Sequence, residues 1–155
     1  MSDPEPPAPP KLNLSVQYAV ATRGLPSRTQ FRKWARAALR RDARVTLRIV
    51  GRAEGTALNR TYRGRNYATN VLTFVFRDKA PFEGDLALCA PIVAGEARAQ
   101  RKTAAAHYAH LTVHGLLHLQ GYDHENDTDA RVMERLEVRI MRRLGFESPY
   151  SGDEG

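Results

Sequence analysis

The chain has 155 residues, 42% of them hydrophobic, with a single cysteine, a net charge of +7 and a pI near 10. That length suits one domain with a real core, and no apolar run approaches the roughly 20 residues that cross a bilayer. Cys89 alone excludes an internal disulfide framework and a cysteine-rich metal site. The charge is uneven, because thirteen basic residues from Arg23 to Arg65 are opposed only by Asp42 and Glu54. Such a half attracts polyanions, nucleic acid among them, or serves only as a solubilising surface.

Residues 1–10 are proline-rich and are expected to form a disordered tail, without the basic and apolar regions of a secretory signal. Leu12 to Tyr18 alternates apolar and polar residues, which predicts a half-buried strand. Ser27 caps a predicted helix whose core-facing residues are Phe31, Trp34, Ala35, Ala38 and Leu39. Arg28, Arg32, Arg36 and Arg40 repeat on its other side, as a solvated face or a row of phosphate contacts. Val45 to Val50 predicts a second strand, and Glu54 to Tyr62 a short helix ended at Gly64. The β-branched and aromatic run Val71 to Phe76 predicts a third strand in a central position. Pro81 and Gly84 punctuate a turn before a short fourth strand, Asp85 to Cys89, and Pro91 opens a helix running to about Arg101. Thr103 caps a longer helix that Gly121 ends. Asn126 or Asp127 caps the last one, whose stripe is Met133, Leu136, Ile140, Met141 and Leu144, with Gly145 as its stop. The expected fold is α+β, one mixed four-stranded sheet covered by helices, in a single domain over residues 11–150 with a flexible end at 151–155.

His114 and His118 stand four apart on one helix face, where both imidazoles reach one ion. Gly121 then allows the chain to leave the helix and bring His124 back toward them. An HxxxH pair alone often serves only packing, but a glycine and a third histidine at workable positions favour a metal. Three histidines without a fourth protein ligand describe an open zinc site, the catalytic kind. The spacing coincides with the metzincin form HExxHxxGxxH, except that Gly115 stands where metalloproteases carry their glutamate base. Asp123 is placed either to orient a ligand imidazole or to cap the turn. His110 lies one turn before His114, to touch substrate or to pack as a satisfied histidine. His107 and Asp85 are weaker candidates.

His110 to His124 resembles the signature of the YbeY family of rRNA-maturation endoribonucleases. Leu58 to Gly64, Thr69 to Phe74, Gly84 to Leu88 and the end from Met141 to Tyr150 are similar to that family in the same order. The resemblance implies a zincin-like three-layer fold with a metal-binding helix-turn and one Zn2+ per chain on His114, His118 and His124. It implies single-strand-specific RNA cleavage in maturation of the 3′ end of small-subunit (16S) rRNA and in ribosome quality control; the composition, for its part, makes a cytoplasmic location away from membranes the simplest expectation. Its partners would be the rRNA precursor and small ribosomal subunit, with ribosome-associated assembly proteins as further candidates. The family's functional arginine carries over to Arg63, so catalysis is assigned to Arg63 and His114, and substrate binding to Arg63 and His110. Thr73 stands where serine is common in the family and Val75 where proline is common. Tyr62, Tyr67 and Phe82 are available for base stacking, though packing accounts for each as well. A non-catalytic zinc-containing assembly factor is the alternative reading, and a metalloprotease is disfavoured by Gly115.

Overall fold

The computed structural model describes residue 4 and residues 8–150; the proline-rich start, otherwise, and the end from 151 lie outside the described residues. The chain runs β1 (Leu12–Tyr18), α1 (Arg28–Ala38), β2 (Ala43–Val50), α2 (Arg52–Arg63), β3 (Val71–Arg77), β4 (Phe82–Cys89), α3 (Ala90–Ala99), α4 (Ala104–Leu119) and α5 (Asp127–Arg143). The four strands form one mixed sheet in the order β1-β2-β4-β3. β1, β2 and β4 are parallel, and β3 pairs antiparallel with β4.

Local chemistry explains most boundaries. Ser27 Oγ accepts from the Gln30 backbone amide while Gln30 Oε1 accepts from the Ser27 backbone amide, closing a capping box on α1. Thr103 and Asn126 cap α4 and α5 with their side-chain oxygens. Gly64 and Gly145 take the left-handed conformation, φ 68° and 93°, that ends α2 and follows α5.

Two expectations need correction. β3 is an edge strand, not a central one. Its β-branched, aromatic composition is real, but Val75 and Phe76 are exposed and the pairing slips between Val75 and Arg77. β4 also starts earlier than expected, at Phe82, because Gly84 lies within the strand. A Cβ there would sit 2.2 Å from the Phe74 carbonyl oxygen and 2.3 Å from Leu119 Cδ1. Gly84 is therefore required by close packing of β3 and α4.

The register sets the faces of the sheet. Val45, Leu47 and Ile49 of β2 pair with Gly84, Leu86 and Leu88 of β4, and all are buried. This is the side that carries α4, since a Cβ on Gly115 would meet Leu86 Cδ2 at 2.4 Å. α1 packs on α4 beside it, and Phe31 lies edge-on to Trp34 and Tyr108. Gly55 of α2 approaches Cys89, whose thiol is buried, so its pKa is pushed up by burial. Gln120 ties the end of α4 to the α1–β2 loop. Its amide donates to the Ala38 and Leu116 carbonyls, and its oxygen accepts from the Arg40 and Arg41 amides. The histidine helix is thereby fixed at its far end.

Candidate active site

His114 and His118 project from the last turns of α4, one turn apart. Gly121, at φ 98°, turns the chain, with its amide bonded to the His118 carbonyl and the Tyr122 amide to that of Leu117. The turn returns His124 to its partners: ring centroids lie 5.7 Å apart for His114–His124 and 6.1 Å for His118–His124. Asp123 takes the capping role, accepting the Glu125 amide at 2.5 Å, and thus shapes the turn.

Two of these imidazoles are oriented from behind. His114 Nδ1 donates to Glu137 Oε1 at 2.5 Å, and His118 Nδ1 donates to the Tyr122 carbonyl at 3.2 Å. Each ring thereby leaves Nε2 as its lone-pair nitrogen, which is what a metal requires. Burial holds the His118 pKa down, against the pull of the Tyr122 carbonyl in the other direction.

The donor set fits a borderline-soft divalent ion. Imidazoles sharing one tetrahedral ion, with bonds of roughly 2.0–2.1 Å, have centroids roughly 5 Å apart, so the observed rings are slightly spread. Among the described residues, no group of three histidine, cysteine or acidic side chains is closed to metal-holding distances.

Glu137, which sequence reasoning missed, organises the site. It is fully buried on α5 and accepts from His114 Nδ1, from His110 Nε2 at 3.1 Å and from the Tyr150 hydroxyl. Burial pushes its carboxyl up, but the bonds from His110 and His114, the His114 ring and the Tyr150 hydroxyl together hold its pKa down, to about 2. The available signal was a gap, since Glu137 sits inside the apolar stripe between Met133 and Ile140, where a carboxylate must find partners.

His110 spends its Nε2 on Glu137 and lies edge-on to Tyr150, centroids 5.6 Å apart. It lines a cavity of about 890 Å³ with His107, Glu96, Asn70 and Tyr150. His107 is almost wholly buried, bonded through Nε2 to Glu96 at 2.9 Å, and its pKa is lowered chiefly by burial. Asn70 donates to the same Glu96 oxygen.

Arg63 stands apart. It ends α2 and lines a second cavity, of about 390 Å³, with Asn59, Arg65, Tyr67 and Thr69. Asn59, buried beneath it, donates to the Tyr67 carbonyl at 2.7 Å and so fixes the loop that follows Gly64. Among the described residues no hydrogen bond joins Arg63 to the histidines. Asp85 alternates with Gly84 and Leu86, so it lies on the sheet face away from α4, and its pKa is raised by burial.

A mixed sheet carrying imidazoles on a helix and on its returning turn, with Nε2 left open on the two helix rings, is an arrangement that metal-dependent hydrolases use. The sequence matches the family described as Endoribonuclease YbeY over residues 21–145. The chain belongs to that family. A Nitrosospira multiformis protein named endoribonuclease YbeY is 54% identical, the match covering 94% of this chain and 85% of that one. A Nitrosomonas europaea protein of the same name is 56% identical over 90% of this chain and 85% of its own. The solution structure of TM1509 from Thermotoga maritima has a similar fold, with TM-score 0.58 and 24% identity, covering 84% of this chain and 88% of that one.

Proposed function

We propose that this chain is a metal-dependent endoribonuclease that cuts single-stranded RNA, with zinc held by His114, His118 and His124. The observation that carries the reading is the histidine helix-turn, backed by Glu137 and Tyr122, in a chain of the endoribonuclease YbeY family. A bound zinc supplies Lewis acidity and lowers the pKa of its water toward about 7. The chain's own residues do the rest. Glu137 holds His114 in the tautomer that leaves Nε2 open, and the Tyr122 carbonyl does the same for His118. Arg63 binds a phosphate of the strand through its two-pronged guanidinium and offsets charge that develops during phosphoryl transfer. His110, its Nε2 held by Glu137, meets the substrate only through the part of its ring that lines the large cavity.

The same reading assigns the chain to maturation of the small-subunit rRNA 3′ end, in the cytoplasm, with the rRNA precursor, the small ribosomal subunit and ribosome-associated assembly proteins as partners. The excess of arginine before Gly64 supports a polyanionic substrate. No helix among the described residues is long and apolar enough to cross a membrane.

The test is cleavage of a labelled single-stranded RNA by the wild type, His114→Ala and Arg63→Glu, with metal content measured in parallel. Loss of both metal and cleavage in His114→Ala is expected, and loss of cleavage with metal retained in Arg63→Glu. Undiminished cleavage by His114→Ala overturns the catalytic role of the metal.

A further inference from the structure

Five large hydrophobic side chains are exposed among the described residues, and four of them, Tyr62, Tyr67, Val75 and Phe76, fall between positions 62 and 76. They thus fall in one short stretch of chain, whereas exposed apolar residues normally scatter singly. Tyr67 and Phe76 are 57% and 68% exposed, and Tyr62 lies over Phe74 with centroids 4.7 Å apart. The stretch begins at the end of α2 and finishes on β3, the open edge of the sheet.

The surroundings are cationic. Between positions 60 and 79 stand Arg60, Arg63, Arg65, Arg77 and Lys79, against Asp78 alone. Arg60 is engaged by the Asn66 side chain. The ion pairs of arginine among the described residues are those of Arg44 and Arg48, so Arg63, Arg65, Arg77 and Lys79 keep their charge unneutralised.

We infer that this edge is a stacking platform for unpaired bases, with the surrounding arginines and Lys79 on the phosphates. The inference rests on the endoribonuclease reading and deepens it, because it gives the preference for single strands a physical origin. Every base offers a flat face to an aromatic ring, whereas a duplex hides those faces inside its stack.

A protein strand added to the open edge is the competing occupant, and β3 is built against it. Val75 pairs with Gly84 and Arg77 with Glu83, so Phe76 is an extra residue that interrupts the ladder. Arg77 and Lys79 then place charge along the edge, a second device that blocks pairing with another strand. What the edge does offer is rings and cations, the two contacts that a single strand takes up.

The edge is also the seam between the two faces of the sheet. Val71, Thr73 and Val75 share the side of Leu88, Leu86 and Gly84, on which α4 lies, while Phe74 and its partner Tyr62 lie on the other. A strand crossing this edge passes from the Arg63 cavity toward the side that carries the histidine helix.

The test compares the full chain with a Tyr67→Ala/Phe76→Ala double variant, and with Val132→Ala as an exposed control far along the sequence. Binding is read by fluorescence anisotropy at fixed salt, in the His114→Ala background so that the strand survives. The probes are an RNA of about twelve nucleotides, a duplex of it and an abasic ribose-phosphate strand of the same length. The double variant is expected to lose about tenfold or more in affinity for the single strand, with little change for the abasic strand or the duplex. Val132→Ala should bind as its parent does. Equal affinity of the double variant and its parent for the single strand overturns the platform. Cleavage with an intact His114 separates the two readings: if the double variant binds normally while the wild type still cuts, only the platform falls. If the wild type neither binds nor cuts RNA, the nuclease reading falls with it.

Discussion

Replacing Glu137 with glutamine isolates the part of the site that the sequence concealed. The substitution preserves shape but turns one acceptor oxygen into a donor amide. Glu137 Oε1 accepts from His114, and Oε2 accepts from both His110 and Tyr150. Whichever way the amide turns, an N–H group meets a ring that was donating. If it faces His114, that ring must move its proton from Nδ1 to Nε2, and the lone pair offered to a metal is lost. If it faces His110, the buried pair with the smaller solvent exposure is broken instead. Losing a hydrogen bond to a charged group costs about 1.5–3 kcal/mol, and removing the partner that orients a ligand histidine typically weakens metal binding about 10–100-fold.

Chelator competition for zinc and urea unfolding of the metal-free protein measure the two effects separately. Glu137→Gln is expected to lose affinity in the first and about 2 kcal/mol in the second. Tyr150→Phe removes one bond from the same carboxylate but leaves the His114 bond in place, so it should lower stability while leaving metal affinity nearly intact. A Glu137→Gln protein with wild-type affinity and wild-type unfolding midpoint would refute the reasoning.

Three further outcomes are expected. Gly115→Ala should destabilise by about 1–3 kcal/mol in thermal unfolding, because its Cβ would meet the buried Leu86 side chain at 2.4 Å. Gln120→Ala should cost about 2–4 kcal/mol in urea unfolding, since it strips partners from the Ala38 carbonyl and the Arg40 and Arg41 amides. His107 is buried and its pKa is depressed below 6.5, so the unfolded chain takes up the proton first as pH falls. Its contribution should be intact above 6.5 and lost as pH drops from there through the folded value. Urea midpoints at several pH values should therefore fall less steeply in His107→Gln than in the wild type across that window.

Much of this was readable because it is local. The alternation from Leu12 to Tyr18 is β1 to the residue, and the caps at Ser27, Thr103 and Asn126 sit where side-chain oxygens predict them. His114, His118 and His124 come together because helical spacing and the Gly121 turn leave them little choice. The long-range features were not readable. The composition of β3 says strand, but only pairing decides that it is an edge. Gly84 looked like a turn residue, yet it lies in β4 for want of space for a Cβ. Glu137 and Tyr150 reach the site from α5 and the segment beyond it, and the sequence gives no distance between these and α4.

The placement of the carboxylates bears on the chemistry. In the metzincin spacing the glutamate after the first histidine serves as the base. Here that position faces the sheet, where Leu86 already fills the space, so no side chain from Gly115 reaches the Nε2 side of the histidines without displacing the core. The carboxylate that does reach them, Glu137, comes from behind, on the Nδ1 side of His114, and is fully buried with both oxygens engaged. It orients a ring, and it has no path to a substrate. Asp123 is likewise committed to its turn, and Asp85 lies on the opposite face of the sheet. Among the described residues, then, Glu137, Asp123 and Asp85 serve orientation, turn geometry or the opposite face, and none of the three is placed as the proton acceptor that peptide hydrolysis uses. A phosphodiester substrate instead brings negative charge that arginines can meet, and Arg63 and Arg65 stand exposed on the stretch that leads from α2 to β3.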